Sequence, residues 1–151
     1  MRVTTWTEYS LIIALHLARR RAAGLGSIPA RELALEEHLP ADYVEQILLR
    51  LRRAGLVESI RGARGGYLLN RSPAEITVRD LMAASDRQTF EVNCDRHPVS
   101  AERCTPEADC SIRPVWQALK RRIDALLEGV TLADLMRDEG DVRRLPVLSL
   151  A

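Results

Sequence analysis

The sequence predicts a mainly α-helical fold with one small β-hairpin. Three observations carry that reading: two short helical segments flank a tight proline turn, a glycine-rich basic turn joins two β-prone strips, and a late helix repeats apolar residues at spacings of 4, 3, 4, 3 and 4. At 151 residues, with 46% hydrophobic and 28% charged side chains, the chain has the size of one domain, or of a small domain with a long appended element. No stretch approaches the roughly 18 uncharged apolar residues of a membrane span. The start MRVTTWTEYS lacks the charged leader, apolar centre and small-residue cleavage site of a secretory signal, so a cytoplasmic location without membrane attachment is expected.

The elements follow in order. Tyr9, Ile12, Ile13 and Leu17 fall at helical spacing and predict a first helix from Thr7 to Arg20, ended by Gly24 and Gly26. Ile28-Pro29 introduces a short helix from Ala30 to Glu37. After His38-Leu39-Pro40 a second short helix runs from Ala41 to Arg53 and stops at Gly55. Two short helices across a tight turn suggest helix-turn-helix. Val44, Ile47, Leu48 and Leu51 share one face of the second helix, while Asp42, Glu45, Gln46, Arg50 and Arg53 project elsewhere and are free to meet a partner.

The strips LVESI and YLLN, joined by RGARGG, predict a hairpin. Helix-turn-helix followed by a basic hairpin is a winged helix, whose second helix enters the major groove of DNA while the hairpin lies along the backbone or minor groove. Between Ser59 and Arg71 there are three arginines and no acid. Arg61 and Arg64 can neutralise phosphate, and Gly62, Gly65 and Gly66 let the backbone approach a duplex. The charge distribution agrees: residues 1–80 hold 12 basic and 9 acidic side chains, net +3, against 10 and 12, net −2, in residues 81–151.

Residues 72–85 read as a linker and a short helix with Ile76, Val78, Leu81 and Met82 as apolar positions. Residues 86–111 break the pattern, with Phe90, Val92 and Val99 their only large apolar side chains, and a loop of that length is either functional or a mistaken assignment. All three cysteines lie there, as C-x9-C-x5-C at Cys94, Cys104 and Cys110. An odd number of cysteines in a reducing compartment argues against a disulfide framework. A metal or cluster held by three thiolates would supply ordering energy that the loop cannot draw from burial. The bland alternative is three unrelated thiols, some of them buried as small hydrophobes. Three thiolates leave a fourth position open. Candidates for it are His97 within the loop, Glu8 or His16 on the first helix, and Arg113 in a less usual role.

The repeat Ile112, Trp116, Leu119, Ile123, Leu126, Val130 forms an a/d seam; it reads either as an intramolecular core stripe or as a homodimer helix over residues 112–130, and the second is favoured because a chain this small has little left to cover it. Residues 131–151 then give a short helix and a disordered tail. No GxSxG, HExxH or phosphate-binding loop occurs, and RGARGG lacks the strand-to-helix setting of a nucleotide site, so an enzyme is not expected. The domain reading is a DNA-binding head over 1–85, a cysteine-bearing loop over 86–111, and the dimerisation helix and tail beyond.

The stretches MRVTTWTEYSLIIALHLA, LPADYVEQILLRLRRAGLVESIRGARGGYLL, ITVRDLMAA and CSIRPVWQAL together resemble the Rrf2 family of bacterial winged-helix regulators, over residues 1 to about 136. The resemblance implies a homodimer with two winged-helix heads on double-stranded DNA and a long dimerisation helix. It also implies an iron-sulfur cluster, 2Fe-2S or 4Fe-4S, on Cys94, Cys104 and Cys110. Asp42, Glu45 and Gln46 fall where the family's recognition helix meets base edges. Arg61 and the Gly62 to Gly66 turn fall where its wing meets the minor groove. The first cysteine interval is longer than the family's usual one, and Arg113 stands where an IscR-like branch carries a histidine ligand, a role that a permanently protonated guanidinium does not fill. Glu8 matches the position at which an NsrR-like branch supplies a carboxylate from the partner subunit. The resemblance therefore favours three cysteines plus Glu8 in trans, with His97 in reserve. Two readings compete with a cluster sensor: a metal-free thiol-disulfide switch on the same DNA-binding fold, and a zinc-stabilised interaction module.

Overall fold

The computed structural model describes residues 3–85, 99–100, 102, 104–105 and 107–148. Cys94 and His97 lie outside them. Helix α1 (Thr5–Ala22) begins two residues before the predicted start, because Thr4 caps it by accepting from the Thr7 amide; Arg19, Arg20 and Arg21 fill its last turn, where cations suit the helix dipole. Helix α2 (Ala30–Glu36) and helix α3 (Ala41–Arg53) are joined through His38, at φ 53°, and Pro40. Gly55, at φ 72°, turns the chain out of α3.

Strands β1 (Val57–Ile60) and β2 (Gly66–Leu69) pair antiparallel, from Val57 opposite Leu69 to Ile60 opposite Gly66. Next to the hairpin, Ile28 bridges to Tyr67, with amide bonds of 3.1 and 2.8 Å in the two directions. This places the Ile28 backbone hard against Gly66, where a Cβ would sit 2.3 Å from the Ile28 carbonyl carbon. A Cβ on Gly65 would meet the Ile60 carbonyl oxygen at 2.4 Å. The hairpin therefore needs both glycines for its own closure and seating, a reason separate from the close approach to DNA that the sequence suggests.

A short 3-10 turn (Pro73–Glu75) leads to helix α4 (Val78–Ser85), and helix α5 (Arg113–Glu128) follows the cysteine segment. The sequence places Val130 at the end of the α5 seam, but the helix stops at Glu128 and Val130 is buried beside α4. There its carbonyl accepts from the Val78 amide at 2.9 Å. The returning chain bridges Thr131 to Thr77, and helix α6 (Leu132–Leu135) drives the fully buried Leu132 into the core with Ile13, Leu33, Ile47, Leu48 and Leu81. The head is thus completed by residues that the sequence reading assigned to a separate C-terminal piece. Helix α7 (Glu139–Arg143) and a 3-10 turn (Pro146–Leu148) replace the disordered tail expected for those residues. The result is a mainly helical winged-helix fold with a two-stranded wing. Among the described residues no helix is long and apolar enough to cross a membrane.

Candidate nucleic-acid interface and cysteine segment

The face of α3 opposite Val44, Ile47, Leu48 and Leu51 is open: Asp42, Glu45, Gln46 and Arg53 are all exposed. On the wing, Arg61 and Arg64 are exposed as well. The wing is braced at both ends. Ser27 Oγ donates to the Arg64 carbonyl at 2.9 Å, and Arg52 Nη1 donates to Ser59 Oγ at 3.2 Å, linking α3 directly to β1. Helix and hairpin therefore present one solvent-facing surface, basic at the end of α3 and at the wing turn, with Asp42 and Glu45 in the first turns of α3 and Glu58 on β1 as its acids.

Arg50 does not join that surface. It is half-buried, with its guanidinium carbon 4.0 Å from the centre of the Trp6 ring and its Nη1 donating to the Ser85 carbonyl at 2.5 Å. The physical reason is angular. At about 100° per residue Arg50 falls on the flank of α3, between the buried stripe and the open face, where α1 offers an aromatic ring and α4 the Ser85 carbonyl. Sequence reasoning also passed over Tyr43, on the same flank, whose ring lies 5.0 Å from Trp6 and 5.9 Å from Tyr9. Its signal was available: an aromatic seven residues before Arg50 occupies the same side of the helix two turns earlier.

Of the proposed metal ligands, Cys104 and Cys110 are described, both free and half-exposed. Glu8 is exposed in the first turn of α1. Among the described residues of one chain no group of three or more His, Cys, Asp and Glu side chains is close enough to hold a metal ion. His16 is otherwise engaged: its Nδ1 lies 2.5 Å from Glu37 Oε1 and its Nε2 lies 3.2 Å from Glu36 Oε2, so it clamps α1 to the end of α2. Cys110 stands just before α5. The backbone amides of Arg113 and then Ile112 hold its thiol below the usual value of 9.0, with a smaller contribution from the Arg113 charge. Thiolate is the ligating and nucleophilic form, so the donor chemistry of Cys110 suits a soft metal centre and equally a redox switch. Arg113 reaches back across the segment, Nη2 donating to the Thr105 carbonyl at 2.6 Å.

A family model described as "Iron-dependent Transcriptional regulator", Rrf2, matches residues 3–138. The chain belongs to the Rrf2 family. The HTH-type transcriptional regulator IscR of Aliivibrio salmonicida is 32% identical over 138 residues, 91% of this chain and 79% of that protein. Among solved structures, IscR of T. potens superposes with a TM-score of 0.68 at 29% identity, covering 90% of this chain and 86% of the other. CymR of B. subtilis, described as the global cysteine regulator, superposes with a TM-score of 0.71 at 29% identity, covering 90% and 96%. As an Rrf2 protein the chain is a DNA-binding transcriptional regulator and not an enzyme, and α2, α3 and the β1–β2 wing form its winged helix-turn-helix head.

Proposed function

We propose that this Rrf2 protein is a homodimeric, cluster-sensing regulator. Cys94, Cys104 and Cys110 of one subunit, with Glu8 of the other, would hold an iron-sulfur group. The observation that carries the reading is the position of Cys110: a thiol held toward thiolate stands three residues before a long amphipathic helix, and none of that helix's residues is buried in its own chain. The cysteine segment is therefore continuous with the surface expected to join the subunits. When bound, the group would supply electron-transfer chemistry and a reactive centre that thiols alone lack. The chain's own parts are distinct. The Cys110 amide partners shift a ligand toward thiolate, Arg113 ties the segment to α5 through Thr105, and Asp42, Glu45, Gln46, Arg61 and Arg64 face the duplex, with Gly65 and Gly66 shaping the wing. Glu45 is compatible with a groove where it accepts from a cytosine amine.

Absorption spectra and iron and sulfide analysis of anaerobically prepared protein test the cofactor. Each cysteine-to-alanine change should abolish or severely impair assembly, and Glu8→Ala should alter the spectrum, whereas His97→Ala should do little. The reverse pattern for Glu8 and His97 would place the fourth ligand within the segment. On the DNA side, Arg61→Ala should weaken binding to any duplex and reduce the slope of log affinity against log salt by about one, while Gln46→Ala should relax preference at particular base pairs. A second reading, a metal-free thiol switch, is favoured by the poised Cys110 and by the likeness to the B. subtilis cysteine regulator. Colourless, metal-free protein whose DNA affinity follows its thiol oxidation would select it.

A further inference from the structure

We infer that Trp6, gripped from α3 by Tyr43 and Arg50, sets the rotation of α3 about its own axis, and that Arg50 is a positioning residue of the interface rather than a contact to DNA. The inference rests on α3 being the helix that reads DNA, as proposed above. Tyr43 and Arg50 stand seven residues apart in α3, two turns along one flank, and both close on the same ring: Tyr43 at 5.0 Å between ring centres and Arg50 at 4.0 Å from guanidinium carbon to ring centre. Two grips two turns apart resist rotation of the helix in a way that a single contact does not. Tyr9, edge-on to Tyr43 at 5.9 Å, closes the cluster from the next turn of α1.

The second half of Arg50 works at right angles to the first. While its face lies on Trp6, its edge donates to the carbonyl of Ser85, the last residue of α4 and itself 1% exposed. Carbonyls at the C-terminal end of a helix accept readily from a cation, which the helix dipole favours there, and Ser85 is the last residue of α4 among the described residues. One planar guanidinium therefore ties α3 to α1 by stacking and to α4 by hydrogen bonding, which a lysine ammonium cannot do in both directions at once. The setting matters because a helix with its side chains is about 10–12 Å across, so a rotation of about 30° shifts its side-chain tips by about 3 Å, a full hydrogen-bond length. Asp42, Glu45 and Gln46 would then miss their base edges while the wing stayed on the backbone.

The test compares the unmodified protein with Arg50→Lys, Trp6→Leu, their double variant, Arg50→Gln and Gln46→Ala. Two probes are used: a duplex enriched from a random pool by the unmodified protein, and a scrambled duplex of the same composition. Measurements are made at a temperature where circular dichroism shows every variant folded. Arg50→Lys and Trp6→Leu should each lower the preference for the enriched duplex at least tenfold, with unchanged affinity for the scrambled one and an unchanged salt slope. The double variant should be no worse than the poorer single one, because both changes remove the same grip. In Arg50→Gln, which removes the charge that lysine keeps, a fall on both duplexes with the salt slope reduced by about one would make Arg50 a phosphate contact and overturn the inference. So would an unchanged preference in Arg50→Lys while Gln46→Ala still relaxes it. If Gln46→Ala and Arg50→Lys are both without effect, the reading role of α3 falls together with the inference.

Discussion

Arg113 and Thr105 are joined across the cysteine segment, guanidinium Nη2 to backbone carbonyl at 2.6 Å, so a side chain from the first turn of α5 reaches back to the residue that follows Cys104. The backbone amide of the same arginine is the strongest of the contacts that favour the Cys110 thiolate. One residue therefore organises the segment through its side chain and activates a thiol through its main chain. The position at which the family resemblance places a histidine ligand is occupied here by an arginine whose guanidinium is tied to the Thr105 carbonyl.

The two roles separate by mutation. In metal-free, reduced protein the rate of Cys110 alkylation by iodoacetamide should rise with pH to a midpoint below 9.0, the ordinary thiol value. Arg113→Ala keeps the amide and removes only the guanidinium, a smaller contributor, so the midpoint should rise slightly and stay below 9.0. Hydrogen exchange over 104–112 should quicken in the same variant, because the tie to Thr105 is gone. A midpoint at or above 9.0 in the unmodified protein would show that the helix-end amides do not act on this thiol.

A pH-dependent contribution to stability belongs to α6. Asp134 Oδ2 accepts from Thr131 Oγ1 at 2.7 Å and from the Thr131 amide at 3.0 Å, and these bonds lower its pKa from the ordinary 3.8. A carboxyl depressed in the folded state adds stability that is complete above its unfolded value and fades as pH falls through the folded one. Asp134→Ala should cost about 1 kcal/mol at pH 7, the usual worth of a cap, and the difference from the unmodified protein should close in acid below pH 3.8. Urea titrations at several pH values measure this. A difference that persists unchanged into acid would mean that the loss does not come from the ionised carboxylate of the capping box.

The head was legible because its signals are local. Apolar spacing in α3, the proline turn before it and the basic glycine turn of the wing all lie within a few residues of what they specify. What sequence reading missed are contacts set by packing between distant elements. Arg50 sits on the flank of α3, and only the placement of Trp6 and Ser85 decides that it turns inward. Val130 matches the heptad rhythm, yet the backbone pairing that runs from Val78 to Val130 and from Ile76 to Leu132 claims it for the head. His16 was open as a ligand until α2 placed Glu36 and Glu37 around it. The ligand set is the least legible part, since Glu8 and the cysteines are joined by neither periodicity nor spacing.

The α5 seam yields the last prediction. Within one chain Ile112 is 58% exposed, Trp116 40%, Leu119 38% and Leu126 39%, a row of large apolar side chains along one helix face. Leaving such a row in water is unfavourable, and a second copy of the helix would cover it by knobs-into-holes packing. Arg79 on α4 pairs with Asp124 at 3.9 Å and with Glu128, tying the end of α5 to the head. Leu119→Glu combined with Leu126→Glu is the informative variant. Ile123 is already half-buried in its own chain, and a charge there would confound loss of the dimer with damage to the head. In a monomer the two glutamates keep access to water, whereas in a dimer they would be desolvated without partners, at a cost of several kcal/mol. The unmodified protein should therefore sediment at twice 17.0 kDa and the variant at 17.0 kDa, with the helical signal of the head retained. A folded variant that remains dimeric would show that this seam is covered by something other than its own copy.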